Sequence, residues 1–339
     1  DVPTNNQGKS NLDTVNKLIN LIIKNLNKKA ILVILCQVPP GFCRNIDWPK
    51  NQLYYQVETL IFGKALERAF FPERFIIGSD RNNNKISQVY KNYLKVFKCP
   101  IINMSYESAE LAKISINIYL ISTVTTSNIL SEICEKINAN WKDIIPSLQL
   151  DKRIGKFAYL NPGLGISGGN LERDLNTLFE LQKKNNLYNQ FIKNLKQYSS
   201  LRKNWVSKYV DKISKKNNLK KISILGLAYK RDTHSIKNSP AFTLISKLNK
   251  YKLKVFDPIV KVPFKNQNIK ICKSAEDAIN GTDLLIITTP WESFKKINLD
   301  FIKNKISLKI VIDPFSILNR QKLFKKGIRQ IVMGEKNEL

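Results

Sequence analysis

The chain has 339 residues, 43% of them hydrophobic, and a net charge of +29; this allows two or three domains with sizeable cores and excludes global disorder. Only ten of the 56 basic residues are arginine, and the lysines are spread through helices and turns without interleaved aromatics. The charge therefore reads as a solvated lysine surface, compatible with a small anionic ligand, and not as a nucleic-acid face. Five scattered cysteines without a CxxC pair argue against a disulfide framework or a thiolate metal site, and a single histidine, His234, excludes a His-cluster metal site.

In chain order, an amphipathic helix is predicted over 11–26, with Leu12, Val15, Leu18, Ile19 and Ile22 on one face. Strands follow at 31–36, ended by the turn 38-VPPG-41, and at 53-LYYQVE-58 and 75-FIIGS-79, with a helix near 85–96. This alternation predicts a parallel sheet with crossover helices. The longest aliphatic run, 30-AILVILC-36, falls far short of the ~20 residues a membrane helix needs. No signal peptide is visible, so a soluble, cytoplasmic chain without a membrane partner is expected. The chain opens without Met, at what reads as a strand end, and an N-terminal portion is expected to be missing.

From about 105 to 139 the pattern is purely helical, with no Pro or Gly over 107–138. A helix of that length spans a domain core or a dimer interface. The glycine-rich stretch 162-PGLGISGGNLERD-174 follows, and 172–210 is helical again. Strands return at 221-KISILG-226, 253-LKVFD-257, 269-IKIC-272, 283-DLLIITT-289 and 308-LKIVID-313, the spacing of a Rossmann-like sheet. Ligands bind such sheets at the carboxyl ends of the strands, which puts 226–230, Asp257, 288–292 and Asp313 on one rim.

Three features could carry chemistry. Lys113 and Asn117, four apart on the long helix, project from one face. If that face is buried, the lysine's pKa falls and it can serve as a base; the same spacing also suits a solvent face. Glu58, at a strand end among apolar residues, is either a general acid/base or a simple cap. The glycine loop has backbone freedom and N–H groups for an anion, and the acidic residues after it suit a helix N-terminus. Taken singly, each is a common pattern.

Together, in this order, the pieces resemble the UDP-glucose/GDP-mannose dehydrogenase family of NAD-dependent nucleotide-sugar dehydrogenases, from residue 1 to about 320. The family's TP-containing strand end is matched by 1-DVPT-4. Its STVPxGT turn, which touches the nicotinamide, reads 36-CQVPPGF-42 and makes Gln37 a cofactor-binding candidate. Its PEFLxxG motif reads 57-VETLIFG-63 and carries the catalytic Glu onto Glu58. The helical KxxxN pair falls on Lys113 and Asn117. The RIG arginine, which reaches the neighbouring subunit's substrate, is Arg153, and the aromatic before PGxG is Tyr159. The PGxG glycines are Gly163 and Gly165. In 226-GLAYKRDTHSIKNSP-240 the substrate-contacting lysine is Lys230, and Lys237 replaces the cofactor-side arginine, keeping charge without the bidentate fork. The TxW…F element is met by Thr289, Trp291 and Phe294.

The resemblance implies an α/β fold of two Rossmann-like parallel-sheet domains, the first incomplete, joined by a long-helix all-α middle domain. The boundaries expected are 1–100 for the remainder of the NAD-binding domain, 101–212 for the helical dimerisation domain, and 213–339 for the nucleotide-sugar-binding domain. It implies NAD as cofactor, a nucleotide sugar as substrate, a homodimer, and no metal. Three departures stand out. The GxGxxG strand–turn–helix that opens the family is absent, a C-terminal substrate arginine is replaced by Phe315, and the nucleophilic Cys of PGxGFGGSCFPKD falls on Asn170, while its Asp is kept as Asp174. The implied function is oxidation of the sugar C6 alcohol, UDP-glucose 6-dehydrogenase-like, by a mechanism altered at Asn170. The alternative is an inactive or repurposed nucleotide-sugar-binding protein.

Overall fold

The computed structural model describes residues 4, 10–60, 63–83, 85–261, 264 and 266–337. Two residues of the 57–63 motif and most of the 1–4 segment lie outside the described residues. Contacts divide the chain into two units, Asp1–Tyr119 with Glu172–Asn189, and Leu120–Leu171 with Gln190–Leu339.

The first unit begins with helix α1 (Asp13–Asn25), which carries Asp13 in its first turn and Lys24 in its last, as the helix dipole favours. Its core-facing stripe is Leu12, Val15, Ile19, Ile23 and Leu26. Leu18 and Ile22, expected on that face, are exposed; the stripe advances by three and four residues, and these two fall beside it. Strands β1 (Leu32–Ile34), β2 (Leu53–Gln56), β3 (Phe75–Ser79) and β4 (Ile101–Ser105) form one sheet in chain order. Short helix α2 (Ala65–Phe70) and helix α3 (Gln88–Lys95), the latter N-capped by Ser87, connect them. The β1–β2 and β3–β4 pairs are parallel, but β2 and β3 run antiparallel. Helix–strand alternation does not encode that reversal, because the side-chain period of a strand is the same in both directions.

Helix α4 (Tyr106–Ile137) follows β4 without a break and runs 32 residues, as the unbroken sequence pattern predicts. Its first turns press on the sheet at Gly78, where an added Cβ would lie 3.0 Å from the Ala109 Cβ and 3.1 Å from the Tyr106 Cα. Only glycine permits that approach. The Tyr106 hydroxyl is buried and donates to the Leu53 carbonyl at 2.7 Å, tying helix to strand.

The second unit holds the rest of α4, then α5 (Trp141–Leu150), the glycine loop, and helices α7 (Gln190–Arg202) and α8 (Trp205–Lys216). Helix α6 (Gly169–Lys184) starts in this unit and continues in the first. A six-stranded sheet follows, ordered β10-β9-β8-β5-β6-β7 with every pair parallel. Its strands are β5 (Lys221–Leu225), β6 (Lys252–Phe256), β7 (Ile269–Ile271), β8 (Thr282–Ile287), β9 (Ile306–Ile312) and β10 (Arg329–Ile331). Helices α9 (Pro240–Lys247), α10 (Ala275–Ile279), α11 (Leu299–Lys305) and α12 (Arg320–Lys325) link them. Ile222, Ile224, Leu285, Ile287 and Ile312 are fully buried, as expected of central strands covered on both faces. The strand order reverses between β5 and β8, so the switch point lies where those strands end.

Candidate active site

In the first unit one stripe of α4 gathers the candidate residues. Tyr106, Glu110, Lys113 and Asn117 succeed one another at helical spacing. The two readings left open for Lys113 and Asn117 are resolved: both are half-buried. The Asn117 amide donates to Asp174 Oδ2 at 2.5 Å, and Asp174, on α6, is only 1% exposed. Asp174 Oδ1 accepts from the neighbouring Arg173 Nε at 3.2 Å, and both side chains are buried.

Burial raises the Asp174 carboxyl above its ordinary value, against the pull of Arg173, Asn117 and Lys113. Burial likewise lowers the Lys113 ammonium, while the negative charges of Glu58 and Asp174 resist that fall. Burial thus works against the charged form of both groups. Glu58 is half-buried just past β2, and its carboxylate accepts the Leu60 backbone N–H.

Gln37 sits at the end of β1 and is 9% exposed. Neither atom of its side-chain amide has a partner among the described residues. An unpaired buried amide costs about 1–3 kcal/mol, and a ligand with its own primary carboxamide would satisfy both atoms. This side chain therefore fits the nicotinamide end of NAD.

The second unit holds the glycine loop. Residues 163–168, GLGISG, have G-x-G-x-x-G spacing, but no strand precedes them. The Gly163 N–H donates to Asn128 Oδ1 at 2.7 Å, the Ile166 N–H to Ser199 Oγ at 2.7 Å, and the Gly168 N–H to the Lys237 carbonyl at 3.1 Å. The Gly163 carbonyl accepts from Arg202 Nε at 3.0 Å, and that guanidinium, fully buried, also pairs with Glu132 at 2.8 Å. The loop is thus sutured to its own unit, and these three amides are not available as an anion nest. Gly165, at φ +90°, packs so tightly that a Cβ would meet the Ser199 carbonyl at 2.6 Å.

The turn after β5 is occupied in the same way. Asp257 Oδ2 accepts from the Leu227 and Ala228 N–H groups at 2.6 and 3.0 Å and from Trp291 Nε1 at 3.0 Å. In a dinucleotide fold the corresponding amides face a phosphate; here a carboxylate of the same sheet holds them. Lys230, just beyond, is half-buried over the Tyr229 ring at 5.6 Å, and burial lowers its pKa against the pull of Asp232.

The remaining candidates lie nearer solvent. Asn170, in the first turn of α6, is exposed, one helical turn before Asp174. The Lys237 side chain, also exposed, lies against Gly169, where a Cβ would be 2.9 Å from its Cδ. Tyr159 is exposed, with its carbonyl accepting from Ser127 Oγ at 3.2 Å. The Arg153 side chain is 89% exposed and pairs locally with Asp151 at 2.6 Å. Phe315 packs at the edge of the second unit's core. Among the described residues no cluster of His, Cys, Asp and Glu could hold a metal, and no helix is long and apolar enough to cross a membrane.

Glu110 and Arg202 escape a motif-based reading, because each holds backbone, whereas Asp257, expected on the ligand rim, accepts from the amides of its own sheet's turn. Glu110 had a signal, standing three residues before Lys113 on the same stripe.

The UDP-glucose/GDP-mannose dehydrogenase family model for the central domain matches residues 107–199, and that for the UDP binding domain matches 223–320. A UDP-glucose 6-dehydrogenase of Rickettsia conorii is 31% identical over 349 residues, covering 98% of this chain and 80% of the relative. Among solved structures, a UDP-D-ManNAc dehydrogenase from Pyrococcus horikoshii superposes with TM-score 0.82 at 20% identity, over 98% of this chain and 79% of the other. A UDP-glucose dehydrogenase from Pyrobaculum islandicum gives 0.81 at 19% identity, over 98% and 77%. Those two likenesses establish the fold, and the Rickettsia relative, similar across nearly the whole of this chain, establishes the kinship: the chain belongs to the UDP-glucose/GDP-mannose dehydrogenase family.

Proposed function

We propose that the chain is a nucleotide-sugar dehydrogenase that oxidises the sugar C6 alcohol to the aldehyde and stops there. The observation that carries this reading is the Lys113–Asn117–Asp174 cluster, whose buried acid and lowered base stand at the family's motif positions. UDP-glucose is the first substrate to test, since the Rickettsia relative is named for it.

Lys113, its proton loosened by burial, accepts the C6 hydroxyl proton, and the charges of Glu58 and Asp174 return the ammonium to a stable form. Asn117 holds Asp174 in one orientation. When bound, NAD supplies the acceptor for the hydride leaving C6, so that alcohol and NAD+ give aldehyde, NADH and one proton. Gln37 would hold the nicotinamide end and Lys237 would supply positive charge on the cofactor side. Lys230 and Tyr159 would hold the nucleotide sugar beside the loop that Gly163 and Gly165 shape, with Arg153 serving the neighbouring protomer of a homodimer.

A second oxidation in this family's manner needs a thiolate that adds to the aldehyde and later leaves. Asn170 stands at that position, and a carboxamide nitrogen cannot play the part at neutral pH. It can donate a hydrogen bond to the C6 oxygen. The test is NADH formation with UDP-glucose, UDP-N-acetyl sugars and GDP-mannose, in wild type and in Lys113→Ala. Activity with one of them, lost in the variant, supports the reading; no NADH with any overturns it. The exposed Asn170 also suits a binding protein, and calorimetry showing tight nucleotide-sugar binding without turnover would favour that instead.

A further inference from the structure

The turn 38-VPPG-41 has an unusual backbone account. Pro39 and Pro40 have no N–H to give. Of the three amides that follow, Phe42 donates to the Pro39 carbonyl at 3.2 Å, within the turn. The other two leave it. The Gly41 N–H donates to Glu110 Oε2 at 2.6 Å and the Cys43 N–H to Glu110 Oε1 at 2.8 Å. Gly41 sits at φ +90°, a left-handed conformation that favours glycine. One carboxylate thus closes the segment, each oxygen taking one amide, at a residue with 0% exposure.

A buried carboxylate is a costly way to fill a core, and a well-packed apolar residue of similar volume is often neutral or better for stability. Its place is specific. Glu110 stands one turn before Lys113 on α4, and the turn it grips begins right after Gln37, whose amide is unpaired. Val38, between Gln37 and the prolines, is buried, so Gln37 cannot shift without moving the turn.

We infer that Glu110 is a positioning residue, clamping Gly41 and Cys43 so that the turn presenting Gln37 is fixed to the helix that carries Lys113. With no exposed surface, it is not placed to meet substrate or cofactor. The inference rests on the proposed reaction only for the identity of the ligand that Gln37 would meet.

The test compares wild type, Glu110→Gln, Glu110→Asp and, as a control on the same helix, Glu107→Gln, whose exposed partner is Arg44. Glutamine turns an N–H toward one of the two amides, while the shorter aspartate keeps the charge. Two readouts need no turnover: amide hydrogen exchange at Gly41 and Cys43, and calorimetric affinity for NAD+. Exchange at the amide that loses its acceptor should quicken at least about tenfold in Glu110→Gln, and NAD+ affinity should fall about tenfold, the loss of one charge-assisted hydrogen bond. UDP-glucose affinity should stay within about twofold, since the loss is confined to one bond of the turn. Glu110→Asp should fall between, and Glu107→Gln should match wild type. Unchanged exchange at both amides in a folded variant overturns the clamp. Quickened exchange with unchanged NAD+ affinity, an equal loss of sugar affinity, or no NAD+ binding by wild type overturns its link to the cofactor. Absence of NADH in the wild-type assay would instead count against the proposed reaction, with the exchange result still standing.

Discussion

Lys113 and Asp174 are drawn toward each other in acidity by the burial they share. Lys113 falls from its ordinary 10.5 and Asp174 rises from 3.8; a base that must be free and a carboxylate that must be charged both fail as pH falls, so the acid limb of a pH–rate profile should lie inside that interval. The acid limb should lose its Asp174 component and move in Asp174→Asn, and each of Lys113→Ala and Asp174→Asn should lower kcat about a hundredfold to ten-thousandfold while circular dichroism stays native. An acid limb unmoved by Asp174→Asn would assign it elsewhere. Stability has the opposite signature at the two ends. Above 3.8 the native Asp174 keeps a proton that the unfolded chain has lost, so stability from this group falls as pH rises to its raised value. Between the lowered Lys113 value and 10.5 the unfolded chain binds the extra proton, so stability rises with pH there. Both shifts are costs of burial, as expected of groups kept for chemistry.

At the scale of the element, glycines set how closely segments approach. Gly226, at φ +99°, ends β5 with its Cα hydrogens against Thr289; an added Cβ would lie 2.5 Å from the Thr289 Cβ and 2.6 Å from its backbone nitrogen. Gly226→Ala should therefore destabilise by about 2–4 kcal/mol, the sum of a left-handed residue and an overpacked contact. Urea unfolding should show a lower midpoint at unchanged slope; an unshifted midpoint would mean the turn is looser than its contacts imply. The helices and hydrophobic strands were legible because periodicity and length report them directly: α4 departs from expectation by a residue or two at each end. Strand β4 was not, since its five residues, IINMS, lack alternation and run straight into a helix. The glycine loop was legible as a site candidate, but its internal sutures were not, because Asn128, Ser199 and Arg202 come from distant positions. The KxxxN spacing pointed to one face of α4, yet spacing alone could not decide whether that face was wet.

For the whole molecule, the second unit's share of α4 leaves Ile129, Leu130, Ile133 and Ile137 exposed, and Leu150 at the end of α5 and Phe157 after it are also exposed. Ile129, Ile133 and Ile137 recur every fourth residue and so line one face of the helix; an exposed apolar stripe of this kind suits an interface, and the proposed homodimer would cover it. Wild type should scatter light as a dimer, and Ile133→Asp with Ile137→Asp should scatter as a monomer; a monomeric wild type would contradict this. The family was readable from the order of loose motifs along the chain, whereas composition pointed only to a basic chain of two or three domains with sizeable cores. The charge of +29 identified no partner, because lysines on a solvated surface look alike whatever the protein binds.

The claim on which the rest depends is that these residues carry out one oxidation and not two. The direct measurement is the number of NADH formed per UDP-glucose consumed, run to completion with the wild-type chain and with Asn170→Cys. Wild type should give one NADH with a trappable aldehyde, and Asn170→Cys a second NADH once the thiol is supplied. Two NADH per sugar from wild type would contradict it, since the aldehyde would then be oxidised with Asn170 in place.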